Sequence, residues 1–390
     1  MDAFVFHNPT RFVFGPDAEA RTGEEVSKLG IGKVLLVYGQ GSVVRSGVLA
    51  RVKASLDAAG VRHCELGGVL PNPLSGLVYQ GIEQAKAEQV EAVMGVGGGS
   101  AIDTAKAIAL GVRYPGDFWD LYAGKAQAAD GLPIITVLTL SAAGSESSNS
   151  SVITNEQSML KRGTRTEFNR PRLSLMNPAL TYSLPNNQKA NGVADMMAHI
   201  FERYFTNTKD VTLSDELCEG TLRTIITAGP KALAEGESYA AHADLMWAGT
   251  LAHNDTLSPG RQQDWSCHGM SHAVSARFGA AHGAVLAVLY PHWMQHQLDH
   301  DVARFERFAV QVMGVDDTSG DAKSKAEAGI RALRTFFNSL GLPQTLSEFN
   351  VQEKDLEKLT DEAPYSAQGT LGFFRPLDRA DVLAIYRAAL

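Results

Sequence analysis

The order of apolar and polar positions changes character halfway along the chain. From residue 33 onward, short apolar runs alternate with amphipathic helical stretches. KVLLVYG (33–39) is a compact apolar run, broken by Gly39-Gln40-Gly41-Ser42 before the helical pattern VLARVKASLDAAG. EAVMGV (91–96) repeats the arrangement, running into Gly97-Gly98-Gly99-Ser100 and then AIDTAKAIALGV, whose apolar positions recur at helical spacing. IITVLTL (134–140) predicts a further strand. Alternating strands and helices predict an α/β domain with a mostly parallel, doubly wound sheet over residues 1–185. Beyond residue 186 the strand-like runs stop and long helical patterns take over, such as QKANGVADMMAHIFERYF and ELCEGTLRTIITAGPKALA, predicting an all-α domain over 186–390. Pro178 and Pro185, around TYSL, mark the crossover.

Composition supports this division and narrows the chemistry. A chain of 390 residues exceeds what one core organises, and 44% hydrophobic with 20% charged residues is a globular balance. A net charge of -8 argues against a nucleic-acid partner, which needs clustered Lys and Arg. Cys64, Cys218 and Cys267 are odd in number and form no CxxC pair, which predicts a reducing compartment and neither a disulfide framework nor a thiolate zinc site. No stretch has the length of a membrane span or the layout of a secretory leader, so the expected location is cytoplasmic.

Ligands of open parallel sheets sit at the carboxyl ends of the strands, where glycine admits close backbone approach and a helix N-terminus favours phosphate. Gly97 to Ser100 are so placed. Their plain structural alternative is a tight turn with Ser100 and Asp103 as a capping box. The first turn, Gly39, Gln40, Gly41 and Ser42, carries no acid for a ribose hydroxyl, and Arg45 follows; this favours NADP(H) over NAD. Alternatively Arg45 is simply a solvated helix residue.

Asp195 and His199 are four apart in a helical pattern and share a face; His268 and His272 repeat the spacing. His282 lies fourteen residues past His268, which on an unbroken helix spans roughly 21 Å. Metal bonds are about 2 Å, so the chain must fold back, and Gly279 offers the helix stop. Asp195, His199, His268 and His282 together would hold Fe(II) or Zn(II), while His272, one turn from His268, could relay a proton or border a nicotinamide. A Lewis-acid metal suits hydride transfer to a carbonyl.

With PNP (71–73), GGGSAID (97–103), GSE (144–146), D-x-x-x-H (195–199) and H-x-x-x-H followed by the histidine of AAHGAVLAVLYP, the chain resembles the iron-containing alcohol dehydrogenase family over nearly its whole length. TRFVFG, YGQGSV, KANGVADMMAH and QDWSCH look most like its NADPH-dependent butanol dehydrogenase and aldehyde reductase branch. The resemblance implies the dehydroquinate synthase-like fold of that family, the four metal ligands named above, His272 beside the nicotinamide, and dinucleotide contacts at Gly97 to Ser100, Asp103, Thr139 and Lys161. It also implies a homodimer acting on a small alcohol or aldehyde. Ala143 replaces a usual threonine, Asn177 a usual aspartate, and Ser148 and Leu180 also depart from the branch pattern. The alternative within enzymes is a glycerol-dehydrogenase-like, NAD-dependent polyol oxidoreductase. A lyase similar to dehydroquinate synthase would need a Lys/Arg cluster that the ligand helices lack.

Overall fold

The computed structural model describes residues 1–234, 238–318 and 320–390. It divides into two compact units, His7–Leu184 and Pro185–Leu390, with Met1–Phe6 belonging to the second. The placement of the first six residues differs from the division at 185 expected from the sequence. Their attachment explains it: the Met1 ammonium donates to Lys209 O at 2.9 Å, the Asp2 amide donates to Gly260 O at 2.9 Å, and the Thr208 hydroxyl donates to Asp2 at 2.9 Å.

The first unit contains strands β1 (Arg11–Phe14), β2 (Lys33–Gly39), β3 (Arg62–Val69), β4 (Ala92–Gly97), β5 (Ile134–Leu138), β6 (Ser150–Thr154), β7 (Lys161–Arg165) and β8 (Leu173–Met176). Its helices are α1 (Thr22–Lys28), α2 (Ser42–Arg45), α3 (Val48–Ala58), α4 (Ser75–Ala87), α5 (Gly99–Arg113) and α6 (Trp119–Tyr122). Among the described residues six strands form one parallel sheet in the order β1-β8-β5-β4-β2-β3. The central strands β4, β5 and β8 are buried throughout and mostly apolar because helices cover both faces, the hydroxyls of Thr136 and Ser174 meeting each other at 2.9 Å. In β2, Val34 and Leu36 enter one core while Leu35 and Val37 enter the other, as the two-residue period of a strand requires. The chain leaves β2 toward β3 but leaves β4 toward β5, so the strand order reverses between β2 and β4. The antiparallel pair β6–β7 was not foreseen: its short polar strands, SSVIT and KRGTR, lack an apolar run.

Helix α5, which begins at the second glycine turn, is seated against α4 by a reciprocal contact. A Cβ on Gly81 of α4 would overlap Ile108 of α5, and one on Gly111 of α5 would overlap Ile82 of α4.

The second unit is helical: α7 (Asn186–Tyr204), α8 (Thr212–Leu233), α9 (Tyr239–His253), α10 (Ser266–Phe278), α11 (His282–Gln297), α12 (Val302–Gln311), α13 (Ala322–Ser339), α14 (Glu353–Glu362) and α15 (Arg379–Ala388). Helices α7 and α11 are buried along most of their length and form its centre. Among the described residues no helix is long and apolar enough to cross a membrane.

Replacing Gly81 by Ala is expected to cost about 1–3 kcal/mol through overpacking. Urea unfolding of the double variant Gly81→Ala, Ile108→Val should show less than the sum of the two single costs. Strict additivity would refute the reciprocal fit.

Candidate metal centre and dinucleotide cradle

Three helices of the second unit supply the candidate metal ligands. Asp195 and His199 lie one turn apart on α7, His268 is in the first turn of α10, and His282 is the first residue of α11. The required reversal occurs where expected: Gly279 ends α10 at φ 64°, a left-handed conformation that glycine adopts without steric cost. Helix α11 then packs on α7 so closely that a Cβ on Gly283 would overlap the Asn191 carbonyl oxygen. One residue earlier, His282 Nε2 reaches 3.9 Å from Asp195 Oδ1.

The structure brings ligand atoms of Asp195, His268 and His282 within 4.8 Å of one another. His199 is not in that set. It lies alongside, with its ring 4.4 Å from the His268 ring and Nδ1 3.2 Å from Asp195 Oδ1. His272 is half-buried, its ring 5.2 Å from that of His282.

Hydrogen bonds fix which nitrogen two of the rings offer. His199 Nδ1 lies 2.9 Å from the Asp195 main-chain carbonyl, which only accepts, so Nδ1 carries the proton. His268 Nδ1 lies 2.6 Å from Glu202 Oε1 and donates to it. His199 and His268 are therefore held as Nδ1–H tautomers with Nε2 as the lone-pair nitrogen, the form that ligates metals. The Ser271 hydroxyl lies 2.8 Å from His268 O and 3.0 Å from His282 Nδ1, so it joins the two helices at the ring nitrogen of His282. Asp195 Oδ1 is buried and has no hydrogen-bond partner, an arrangement that costs free energy unless a cation meets it. Three imidazole nitrogens and one carboxylate match the donor set of Zn(II) or Fe(II).

Glu202 and Ser271 escaped the sequence reading. Glu202 had a legible signal, since Asp195, His199 and Glu202 fall at helical spacing on one face of α7. Burial pushes its carboxyl up to about 7, against hydrogen bonds that favour the charged form. Ser271 had no signal, because its role depends on the reversal between α10 and α11.

In the first unit, the glycine turns end the adjacent strands β2 and β4, where the strand order reverses; this is the usual ligand position of an open parallel sheet. Gly41 takes φ 136° and a Cβ there would lie 3.0 Å from Arg45 Nη1, so the guanidinium folds back over the turn. Ser42 is exposed, and Gln40 follows the end of β2. Gly98 precedes α5, and no side chain caps that helix among the described residues. The Ser100–Asp103 capping box is thus not formed. Asp103 instead accepts the Ser145 hydroxyl at 2.6 Å and the Val152 amide at 2.9 Å, tying GGGSAID to GSE and β6. Burial raises its carboxyl pKa, opposed by Lys106. The Thr139 amide donates to Gly97 O at 3.0 Å, and Lys161 donates to Asn72 of the PNP segment at 2.8 Å.

The two family models for iron-containing alcohol dehydrogenases match residues 9–178 and, for the C-terminal part, 189–390. The chain belongs to the iron-containing alcohol dehydrogenase family. It is an oxidoreductase. It is 40% identical over 388 residues to the NADH-dependent butanol dehydrogenase A of Clostridium acetobutylicum, covering 99% of each chain. It is 34% identical over 392 residues to the NADPH-dependent aldehyde reductase of Escherichia coli, covering all of both. The solved structure of an NADH-dependent butanol dehydrogenase A from Thermotoga maritima superposes with a TM-score of 0.96 at 39% identity, over 100% of this chain and 99% of that one. Family members use a divalent metal and a nicotinamide dinucleotide.

Departures from the family pattern have local explanations here. Ser148 receives the buried Lys106 ammonium at its carbonyl (3.0 Å) and hydroxyl (3.2 Å). Asn177 accepts the Ala179 amide at 3.1 Å and donates to Glu19 at 2.9 Å. Leu180 packs against the core that holds Val34 and Leu36. Ala143 lies beside Gly99, whose added Cβ would be 3.9 Å away.

Gly283→Ala should force α11 off α7. A lowered thermal midpoint, of several degrees or more for about 1–3 kcal/mol of overpacking, is the expected result. An unchanged midpoint would show that α7 yields freely.

Proposed function

We propose that the protein reduces small aliphatic aldehydes with NADPH, and oxidises the corresponding primary alcohols, at a divalent cation held by Asp195, His199, His268 and His282. The carrying observation is a buried Asp195 oxygen with no hydrogen-bond partner, grouped with nitrogens of His268 and His282 and flanked by His199, the rings of His199 and His268 being held as Nδ1–H tautomers. A cation bound there supplies Lewis acidity toward a carbonyl or alcohol oxygen. Asp195 contributes the single negative charge of the set, and the neutral imidazoles leave a net positive site suited to a developing alkoxide. His272, within reach of the His282 ring yet partly exposed, is the group we assign to proton delivery.

In the first unit, Gly39, Gln40, Gly41, Ser42, Gly97, Gly98, Gly99 and Ser100 line the carboxyl ends of β2 and β4 and are assigned to the dinucleotide, with Asp103, Thr139 and Lys161 behind them. Preference for NADP(H) rests on the absence of an acid from residue 39 to residue 45 and on the Arg45 guanidinium over Gly41. The relatives named above include both NADH- and NADPH-dependent enzymes. We further propose a cytoplasmic homodimer. The exposed Phe4, Val5 and Phe6 offer apolar surface to a second copy, and the three cysteines are unpaired.

Reconstituted with Fe(II) or Zn(II), the protein should turn over butanal with NADPH. His282→Ala should lower kcat/KM at least about a hundredfold, since several kcal/mol of charge stabilisation depend on the ligand set. Undiminished turnover would overturn the four-ligand reading. Arg45→Ala should raise KM for NADPH about tenfold, the loss of one charge-assisted contact, and leave KM for NADH unchanged. Faster turnover of polyols with NADH than of butanal with NADPH would instead favour the glycerol-dehydrogenase-like alternative.

A further inference from the structure

Glu202 is buried on α7, with 1% of its surface exposed, and its two carboxylate oxygens meet three donors from α10. Oε1 accepts the His268 amide at 3.0 Å and His268 Nδ1–H at 2.6 Å, while Oε2 accepts the Trp265 amide at 2.6 Å. Its main-chain carbonyl accepts the Asp264 amide at 2.8 Å. Trp265 and His268 stand at the N-cap and third positions of α10, so a side chain from another helix does the work of a cap there. Trp265 itself holds φ 67°, a left-handed conformation unfavourable to a large L-residue, and its amide is fastened to Glu202.

From this geometry we infer that Glu202 is a positioning residue for the metal centre, which both seats the start of α10 and holds His268 as the Nδ1–H tautomer that turns Nε2 toward the cation. The inference rests on the reading of His268 as a ligand. A carboxylate suits the place because it presents only acceptors. Glutamine would set an NH2 group either against the Trp265 amide, donor to donor, or against His268 Nδ1, which would move the ring proton to Nε2 and block ligation. A carboxylate behind a ligating histidine also raises the basicity of the ligand nitrogen.

The test uses the full-length chain stripped of metal, titrated with Co(II) against a competing chelator, and read by visible absorption. Wild type should bind stoichiometric Co(II). Glu202→Gln should bind about 10- to 100-fold more weakly and give an altered cobalt spectrum at a temperature where circular dichroism shows it folded. A lowered thermal midpoint with unchanged cobalt affinity and spectrum would reduce Glu202 to a helix cap and overturn the proposal. Failure of the wild type itself to bind Co(II) would overturn the metal reading, a distinct result. If Glu202→Gln does not fold, 15N NMR of histidine-labelled wild-type apoprotein decides. His268 protonated at Nδ1 supports the proposal, and His268 protonated at Nε2 overturns it.

Discussion

The close seating of α11 on α7 is the constraint on which the candidate metal centre depends. Asp195 and His282 sit on different helices, 87 positions apart in the chain, and neither can approach the other unless the first turn of α11 lies directly on the backbone of α7. Gly283 permits this because any side chain there would enter the Asn191 carbonyl. The contact places an acceptor carboxylate and an imidazole in a buried space where Asp195 Oδ1 has lost water. A cation bound in that space would offset the cost.

Around that contact, the helices fix protonation as well as position. Each histidine ring has its Nδ1 against a specific partner: a main-chain carbonyl of its own helix for His199, a carboxylate of α7 for His268, and a hydroxyl of α10 for His282. The carbonyl and the carboxylate differ in kind but leave the same lone pair, on Nε2, in His199 and His268. Nearby, the buried Arg203 extends the order outward, donating to the His199 carbonyl and bonding to His253 Nδ1 at 3.0 Å, with its guanidinium 5.0 Å from the Trp265 ring centre.

The α/β unit shows a different logic, in which motifs distant in the chain serve each other. Asp103 of GGGSAID holds Ser145 of GSE, and Lys161 holds Asn72 of PNP. Read singly, Asp103 looked like a cap or a cofactor contact; in the fold its oxygens anchor the loop that follows β5. Side chains that depart from the family pattern at 148 and 177 are absorbed by Lys106 and Glu19, so these changes alter the frame of the cradle rather than its glycine surface.

The division into an α/β part and a helical part was legible because strand and helix periods differ, and the glycine turns were legible because they interrupt apolar runs. So were Asp195, His199 and His268, whose spacing places them on helix faces, and the need for a reversal before His282, which follows from helix rise alone. The β6–β7 pair was hidden because its strands are short and polar, and the attachment of residues 1–6 to the helical unit was hidden because its terminal, main-chain and side-chain contacts reach residues more than 200 positions away. Local periodicity thus determined which residues could serve as ligands. Only the tertiary structure decided the tautomers of His199 and His268 and named Glu202 as the group behind His268, because a ring's proton is set by whichever acceptor packing brings to it, and those acceptors come from other turns and other helices.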